Sequence, residues 1–244
     1  MPQDTFKAEQ LLQPMWDLFR RSVGVDILGH PLFFVIAVMT TVVIAGIAFS
    51  IVDVFGTKRM PFKSAAKYLL ITLPGYLLVF VILQALPIRY RFEVPSRAPT
   101  VLEFVREFVL CLVIGDLISY WWHRLEHRSK FVWRRVHYVH HKVSCPLTVW
   151  SGFYVHPVES LCVFITFYIY PFVFQVHPLI FIAYAAVNTF VTMVTHCGYE
   201  LPLYPKSIFA FAKMHEHHHS DKKPVNFCVL LTMSDRLFGT YKSF

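Results

Sequence analysis

The chain has 244 residues, of which 56% are hydrophobic and 16% charged, with a mean hydropathy of +0.50 and a pI near 9.3. Soluble domains run nearer a quarter charged, which excludes an ordinary cytosolic globule, while 9 Gly and 15 Pro exclude collagen-like and low-complexity classes. The net charge of +8 suits an anionic membrane face better than nucleic acid, and five Cys with no CxxC pair make a disulfide framework a poor reading.

The first predicted element is an amphipathic surface helix over residues 6–23. Leu11, Leu12, Met15, Trp16, Phe19 and Val23 recur there at helical spacing against Lys7, Asp17, Arg20 and Arg21. Pro31–Val52 and Tyr68–Ile88 follow, uncharged runs of 22 and 21 residues, each long enough to cross a hydrocarbon core. Thr100-x-x-Glu103 has the form of a capping box. It opens a third helix that carries the apolar run Phe108–Trp122 and continues to about Arg128. At roughly 42 Å this helix overshoots the bilayer, so its last turns project beyond it. Residues 160–199 contain no Asp, Glu, Lys or Arg, too long a stretch for one span. They predict two, broken at Pro171 or at Gln175–Pro178 and forming a hairpin. An even number of crossings returns the chain to the side it left, so residues 123–141 and 196–219 can meet.

The fold class expected is an all-α integral membrane protein. It has about four to five transmembrane helices, two hairpins plus one long helix, beneath a His-rich helical cap that holds a dimetal centre. Residues 1–107 form the N-terminal amphipathic helix and first transmembrane hairpin, and residues 108–244 the His-rich remainder. Sidedness follows from the basic residues. With 53–67, 123–150 and 200–244 on the cytosolic side, that side holds 16 Lys and Arg against 7 opposite, as the positive-inside rule asks.

Histidine is the compositional outlier, with 12 of 13 after position 122. His123 and His127 are spaced i, i+4; His137, His140 and His141 read H-x-x-H-H; His196 follows the hairpin; His215, His218 and His219 repeat H-x-x-H-H. On a helix these spacings share a face, so each cluster can aim imidazoles at one point. Three clusters, each at a membrane exit, point to metal, whereas His30, His177 and His217 read as structural. Up to nine imidazoles exceed one tetrahedral ion and suit two. A shell so poor in carboxylates leaves such a pair strongly positive. Asp116, inside a membrane helix, is a functional candidate by default. It lies on one stripe with Tyr120, His123 and His127, where it can accept the second ring N–H of His123 or join Tyr120 in a network reaching it. His156, before Pro157 and Glu159, is a ligand, a donor behind one, or a helix cap, of which we favour the donor. Asp235 orients an imidazole, pairs with Arg236 or caps a helix.

These residues resemble the fatty acid hydroxylase/sterol desaturase superfamily. The resemblance rests on Asp116-x3-Tyr120-x2-His123-Arg124-x2-His127, His137-x2-His140-His141, His156-Pro157-x-Glu159, His196-x-Gly198-Tyr199, His215-x2-His218-His219 and Asp235 through Thr240, over about residues 108–242. Within that superfamily, Leu11 through Asp17 and Pro31 through Phe34 resemble cholesterol 25-hydroxylases. The resemblance implies a multi-pass endoplasmic reticulum protein with a non-haem di-iron centre facing the cytosol. O2 is the implied oxidant, with electrons from NAD(P)H by way of a reductase and cytochrome b5, and zinc can replace iron in a purified sample. The implied metal ligands are His123, His127, His137, His140, His141, His196, His215, His218 and His219; Asp116, Tyr120, His156 and Asp235 are the other candidate catalytic residues. Where some relatives have a further His, this chain has Thr192. The implied activity is hydroxylation of an unactivated C–H of a sterol, on the side chain. The alternatives are a C4-methylsterol oxidase or a fatty-acyl/sphingoid hydroxylase, and, in another class, a membrane metal-binding or sterol-sensing protein without turnover.

Overall fold

The computed structural model describes residues 11–57, 70, 74–75, 77–78, 81, 93–143, 145–221 and 223–243. Among them the architecture is helical, without a named strand; one antiparallel bridge joins Phe209 to Leu231. The second apolar run, Tyr68–Ile88, lies mostly outside the described residues, as does the start of the expected surface helix.

Helix α1 spans Gln13–Val23, entered through Pro14 and ended at Gly24, whose φ of 90° is open to glycine. Its Trp16 is fully buried and donates from Nε1 to Pro95 O at 2.9 Å, so the helix leans on the segment before residue 100. Leu11, Met15 and Leu18 stay exposed, leaving an apolar face for lipid. After α2 (Val25–Leu28), α3 runs over Pro31–Val52 and widens into a π-turn at Asp53–Thr57. Its start is capped by His30, whose ring accepts the Leu32 N–H at 3.2 Å.

The long helix α4 covers Val101–Arg128, with both halves of the Thr100/Glu103 capping box formed. A short α5 (Lys130–Arg135) and a 3-10 turn (His137–Lys142) fold the chain back beneath it. A second 3-10 turn, Val149–Phe153, inserts Trp150 against α3, where its Nε1 donates to Ser50 Oγ at 2.9 Å. The hairpin is α6 (Pro157–Val173) and α7 (Pro178–His196). α3 packs on α7, and α4 packs on both α6 and α7. α8 (Ala212–Ser220) and the short α9 (Met233–Leu237) close the His end. By length and composition, α7 and the stretch Val35–Phe55 can each cross a membrane, and α6 is a shorter apolar helix.

The hairpin breaks at residues 174–177, where Gln175 takes φ 48°, and α6 runs straight through Pro171. A proline inside a helix frees the carbonyl four residues earlier, which here is Phe167 O. Tyr184 of α7 donates its hydroxyl to that oxygen at 2.9 Å. The freed acceptor is thereby satisfied inside the core formed by Cys111, Leu112, Phe167, Phe181 and Leu230, and no break is needed. Tyr184→Phe should therefore lower stability by about 1–3 kcal/mol, the cost of a buried unpaired carbonyl. Thermal or denaturant unfolding of the detergent-solubilised protein measures it, and an unchanged midpoint contradicts this account of Pro171.

Candidate metal centre

Nine imidazoles converge in two buried or half-buried sets. His123, His127, His137, His141 and His218 form one, and His140, His196, His215 and His219 the other; within each set the ring nitrogens lie within 4.8 Å of one another. α4 supplies 123 and 127, the first 3-10 turn 137, 140 and 141, the end of α7 196, and α8 the last three. Each H-x-x-H-H cluster is split between the sets rather than aimed at one point. His137 and His141 join one set and His140 the other; His215 and His219 join the second and His218 the first. Side chains on adjacent residues diverge by roughly 100° in an α-helix and 120° in a 3-10 turn, so neighbouring His residues face different sets. The two sets share a wall, with the rings of His141 and His219 stacked at 4.4 Å.

Second ring nitrogens fix the tautomers. His123 Nδ1 lies 2.6 Å from Phe227 O, His218 Nδ1 2.7 Å from Val225 O, and His196 Nδ1 2.8 Å from Thr192 O. A carbonyl can only accept, so Nδ1 carries the proton and Nε2 presents a lone pair. For His137, Glu159 Oε1 takes the same place at 2.8 Å, with Glu126 Oε2 at 3.5 Å. The Nε2 atoms then face each other: His123 and His137 at 3.2 Å, His127 and His137 at 3.0 Å, His127 and His218 at 3.1 Å, His137 and His141 at 3.0 Å. In the second set His140 stands 3.5 Å from His196 and 3.1 Å from His219, which is 3.2 Å from His215. Imidazole nitrogens about 2.1 Å from a shared ion stand roughly 3.0 Å apart at right angles and about 3.4 Å at the tetrahedral angle. The observed spacings match, and converging lone pairs without a cation repel. The residues fit two metal ions.

Residues 108–240 match the family model described as Fatty acid hydroxylase, more than half of the chain. The chain belongs to the fatty acid hydroxylase family. It is 26% identical to the zebrafish "Cholesterol 25-hydroxylase-like protein 1, member 2" over 97% of this chain and 92% of that one. With the mouse "Cholesterol 25-hydroxylase" it shares 27% identity over 97% of this chain and 84% of the relative. The Arabidopsis thaliana "Methylsterol monooxygenase 1-1" is 28% identical over 72% of this chain, which spans 59% of that relative. No solved structure matches.

The hydroxylase-family site is braced by the segment 225–240. Asp116 is fully buried on α4 and does not reach His123; it accepts the Leu231 N–H at 2.8 Å and the Ser234 N–H and Oγ–H at 3.2 and 2.7 Å. Tyr120 Oη bonds Thr240 Oγ1 at 3.0 Å and accepts from Arg124 at 2.8 Å. Asp235 accepts the Phe227 and Cys228 N–H groups at 2.9 and 2.8 Å and the Thr240 hydroxyl at 2.7 Å. It holds the turn whose Phe227 carbonyl orients His123, and so acts on an imidazole through one peptide unit. Asn226, at φ 54°, sits between the two carbonyls that orient His218 and His123 and ties the turn to Met214 O and Lys242. Asn tolerates that left-handed backbone better than most residues.

His156 stands outside both sets: its Nδ1 accepts the Val158 N–H at 3.2 Å and caps α6. His30 and His177 do the same for α3 and α7, and each of the three precedes a proline at the first helical position. That His-Pro signal was available in the sequence. His217 turns away to Asp221, 2.9 Å from Nε2. Sequence reasoning missed Glu126 as a site residue. It lies one turn beyond His123 on the same face, and with Glu159 it places two buried carboxylates behind His137, partly offsetting the positive charge of a filled site.

Burial holds His137, His140, His215 and His218 well below the usual imidazole range, with neighbouring imidazoles adding to the effect, and takes His141 down to about 3. An unfolded imidazole titrates near 6.5, so below that pH the unfolded chain binds more protons than the folded one and stability falls as pH falls. Protons also compete with metal for Nε2. Acidification from pH 7.5 to 5.5 should lower the thermal midpoint and release bound metal together. A midpoint and metal content both flat across that range contradict the reading.

Proposed function

We propose that this chain is a membrane-embedded di-iron monooxygenase that hydroxylates an unactivated C–H of a sterol, on its side chain. The observation that carries the reading is the pair of all-imidazole sets, in which backbone carbonyls hold Nδ1 of His123, His196 and His218 outward and turn their Nε2 lone pairs inward. Neutral imidazole suits iron among the first-row metals, and two irons held there supply the activation of O2 that such a C–H demands. The relatives' names include both a cholesterol 25-hydroxylase and a methylsterol monooxygenase, which supports a sterol substrate in a fatty acid hydroxylase fold.

The protein's own part is position and dryness. A cavity under the His sets is lined by His123, His137, His140, His196 and His215 on one side and by Val155, Val163 and Phe167 on the other. It shares Gly152, Val155, Val163, Phe167 and Thr192 with an apolar cavity between α3, α6 and α7. A hydrocarbon substrate thus approaches the metals between helices, from the lipid side, with water kept out. Thr192 lends its carbonyl to His196 and its side chain to the cavity wall, so the four-His set lies open towards substrate. Glu159 and Glu126 fix the ring of His137 and balance charge. We place the site on the cytosolic side of the endoplasmic reticulum membrane, where cytochrome b5 and its reductase deliver electrons. Residues 108–244 act as the catalytic domain, and 1–107 supply the amphipathic helix and the first transmembrane hairpin.

A second reading, oxidation of a C4-methyl group, is favoured by the methylsterol monooxygenase relatives. Lipid analysis of cells expressing the chain separates the two. The expected result is a new side-chain oxysterol that falls by at least about tenfold in a His140→Ala variant. Loss of C4-methylsterols instead selects the second reading, hydroxylated acyl chains select neither, and a product unaffected by His140→Ala overturns the metal assignment.

A further inference from the structure

The apolar cavity carries a polar group that the metal site does not use. Asn188 lies midway along α7, 3% exposed, among cavity walls made of Val38, Val42, Phe164 and Phe167. Its amide donates from Nδ2 to Tyr168 Oη at 3.3 Å, and Tyr168, itself buried, is also bonded to the side chain of Thr189. Among the described residues, Asn188 Oδ1 has no hydrogen-bond partner. A buried amide oxygen left unpaired is destabilising, and a bound group able to donate a hydrogen bond removes that cost. With Nδ2 turned to Tyr168, Oδ1 points away from that hydroxyl.

Position gives this oxygen a meaning. From Asn188 to His196 is eight residues of one continuous helix, a rise of about 12 Å. Thr192, halfway between, lines both this cavity and the one beneath the imidazoles, so the two cavities adjoin there. The other cavity residue with an orphaned polar atom, Ser160, follows Glu159 at the start of α6 and so belongs to the imidazole end. Asn188 marks the far end.

We propose that Asn188 Oδ1 receives the hydroxyl of the substrate, and that the cavity selects a monohydroxylated lipid oxidised at a carbon remote from that hydroxyl, about two helical turns further along α7. The inference rests on the hydroxylase reading and sharpens it. A methyl group on the ring carbon beside a sterol's 3-hydroxyl is only three bonds from that oxygen. It cannot sit at the imidazoles while the hydroxyl sits at Asn188. The remote side of the sterol can, so the geometry favours the side chain over the C4-methyl group. Moving a hydroxyl from the membrane interface into an apolar passage is unfavourable unless it finds a partner there, and Asn188 is that partner.

The test uses the full-length, iron-loaded protein in lipid nanodiscs with cholesterol and its 3-deoxy analogue as probes. Wild type should bind cholesterol about tenfold more tightly than the 3-deoxy analogue, the worth of one buried hydrogen bond. Asn188→Leu should bring the two within about twofold while still holding two metal ions, because Asn188 touches no imidazole. Tyr168→Phe releases the amide and should shrink the preference without abolishing it, and it serves alone if Asn188→Leu does not fold. Equal binding of the two probes by wild type, a tenfold preference retained in Asn188→Leu, or oxidation beside the 3-hydroxyl overturns the proposal. Preferential binding of cholesterol without oxidation of either probe, with iron, O2 and reductant supplied, sinks the hydroxylase reading and leaves the hydroxyl site standing.

Discussion

Converging lone pairs are the constraint on which this structure depends. Backbone carbonyls take the Nδ1 protons of His123, His196 and His218, and that choice points their Nε2 lone pairs inward to a buried interior shared with six more imidazoles. Electron pairs about 3 Å apart in a low-dielectric setting repel unless positive charge lies between them. Protonation cannot supply that charge cheaply, since burial opposes it. Metal ions can, and the binding free energy they provide is also folding free energy for the cap.

Much of the remaining architecture serves to hold those carbonyls still. The segment 225–240 is an irregular strap, and irregular backbone is held only where its polar groups find partners. Asp116 and Asp235 each collect two backbone N–H groups from it, Tyr120 fixes its end, and Asn226 ties it to α8. Asp116 is therefore costly within an apolar helix for a mechanical reason: it anchors a segment 115 residues away to the helix that carries His123 and His127. The hairpin of α6 and α7 plays the matching part for the second set. It returns His196 to the level of the cap and brings Glu159 under His137.

Local signals were the legible ones. The Thr100/Glu103 box, the uncharged run from Ser160 and the clustered histidines are each written in adjacent residues, and each marks the element it predicted. Partners across long separations were not legible. Nothing in the spelling of Phe227, Val225 or Thr192 reveals that its carbonyl orients a histidine, because every residue has that group. Asp116 was readable as an unusual buried acid, yet its partners lie on a strap whose path the pattern does not give. Pro171 looked like a break because the rescue, a hydroxyl from Tyr184, comes from another helix. The division of each H-x-x-H-H between two sets follows from helical geometry, but only once both neighbours of a pair are known to face the buried interior. For His156 the helix cap is one of three readings and not the favoured one; the proline after it points to that role.

The most direct test of the central claim is metal analysis of the purified protein combined with X-ray absorption at the metal edge. Two ions per chain, each surrounded by imidazole nitrogens at about 2.1 Å, is the result this account predicts. A single ion per chain, or ions with mainly oxygen neighbours, contradicts it.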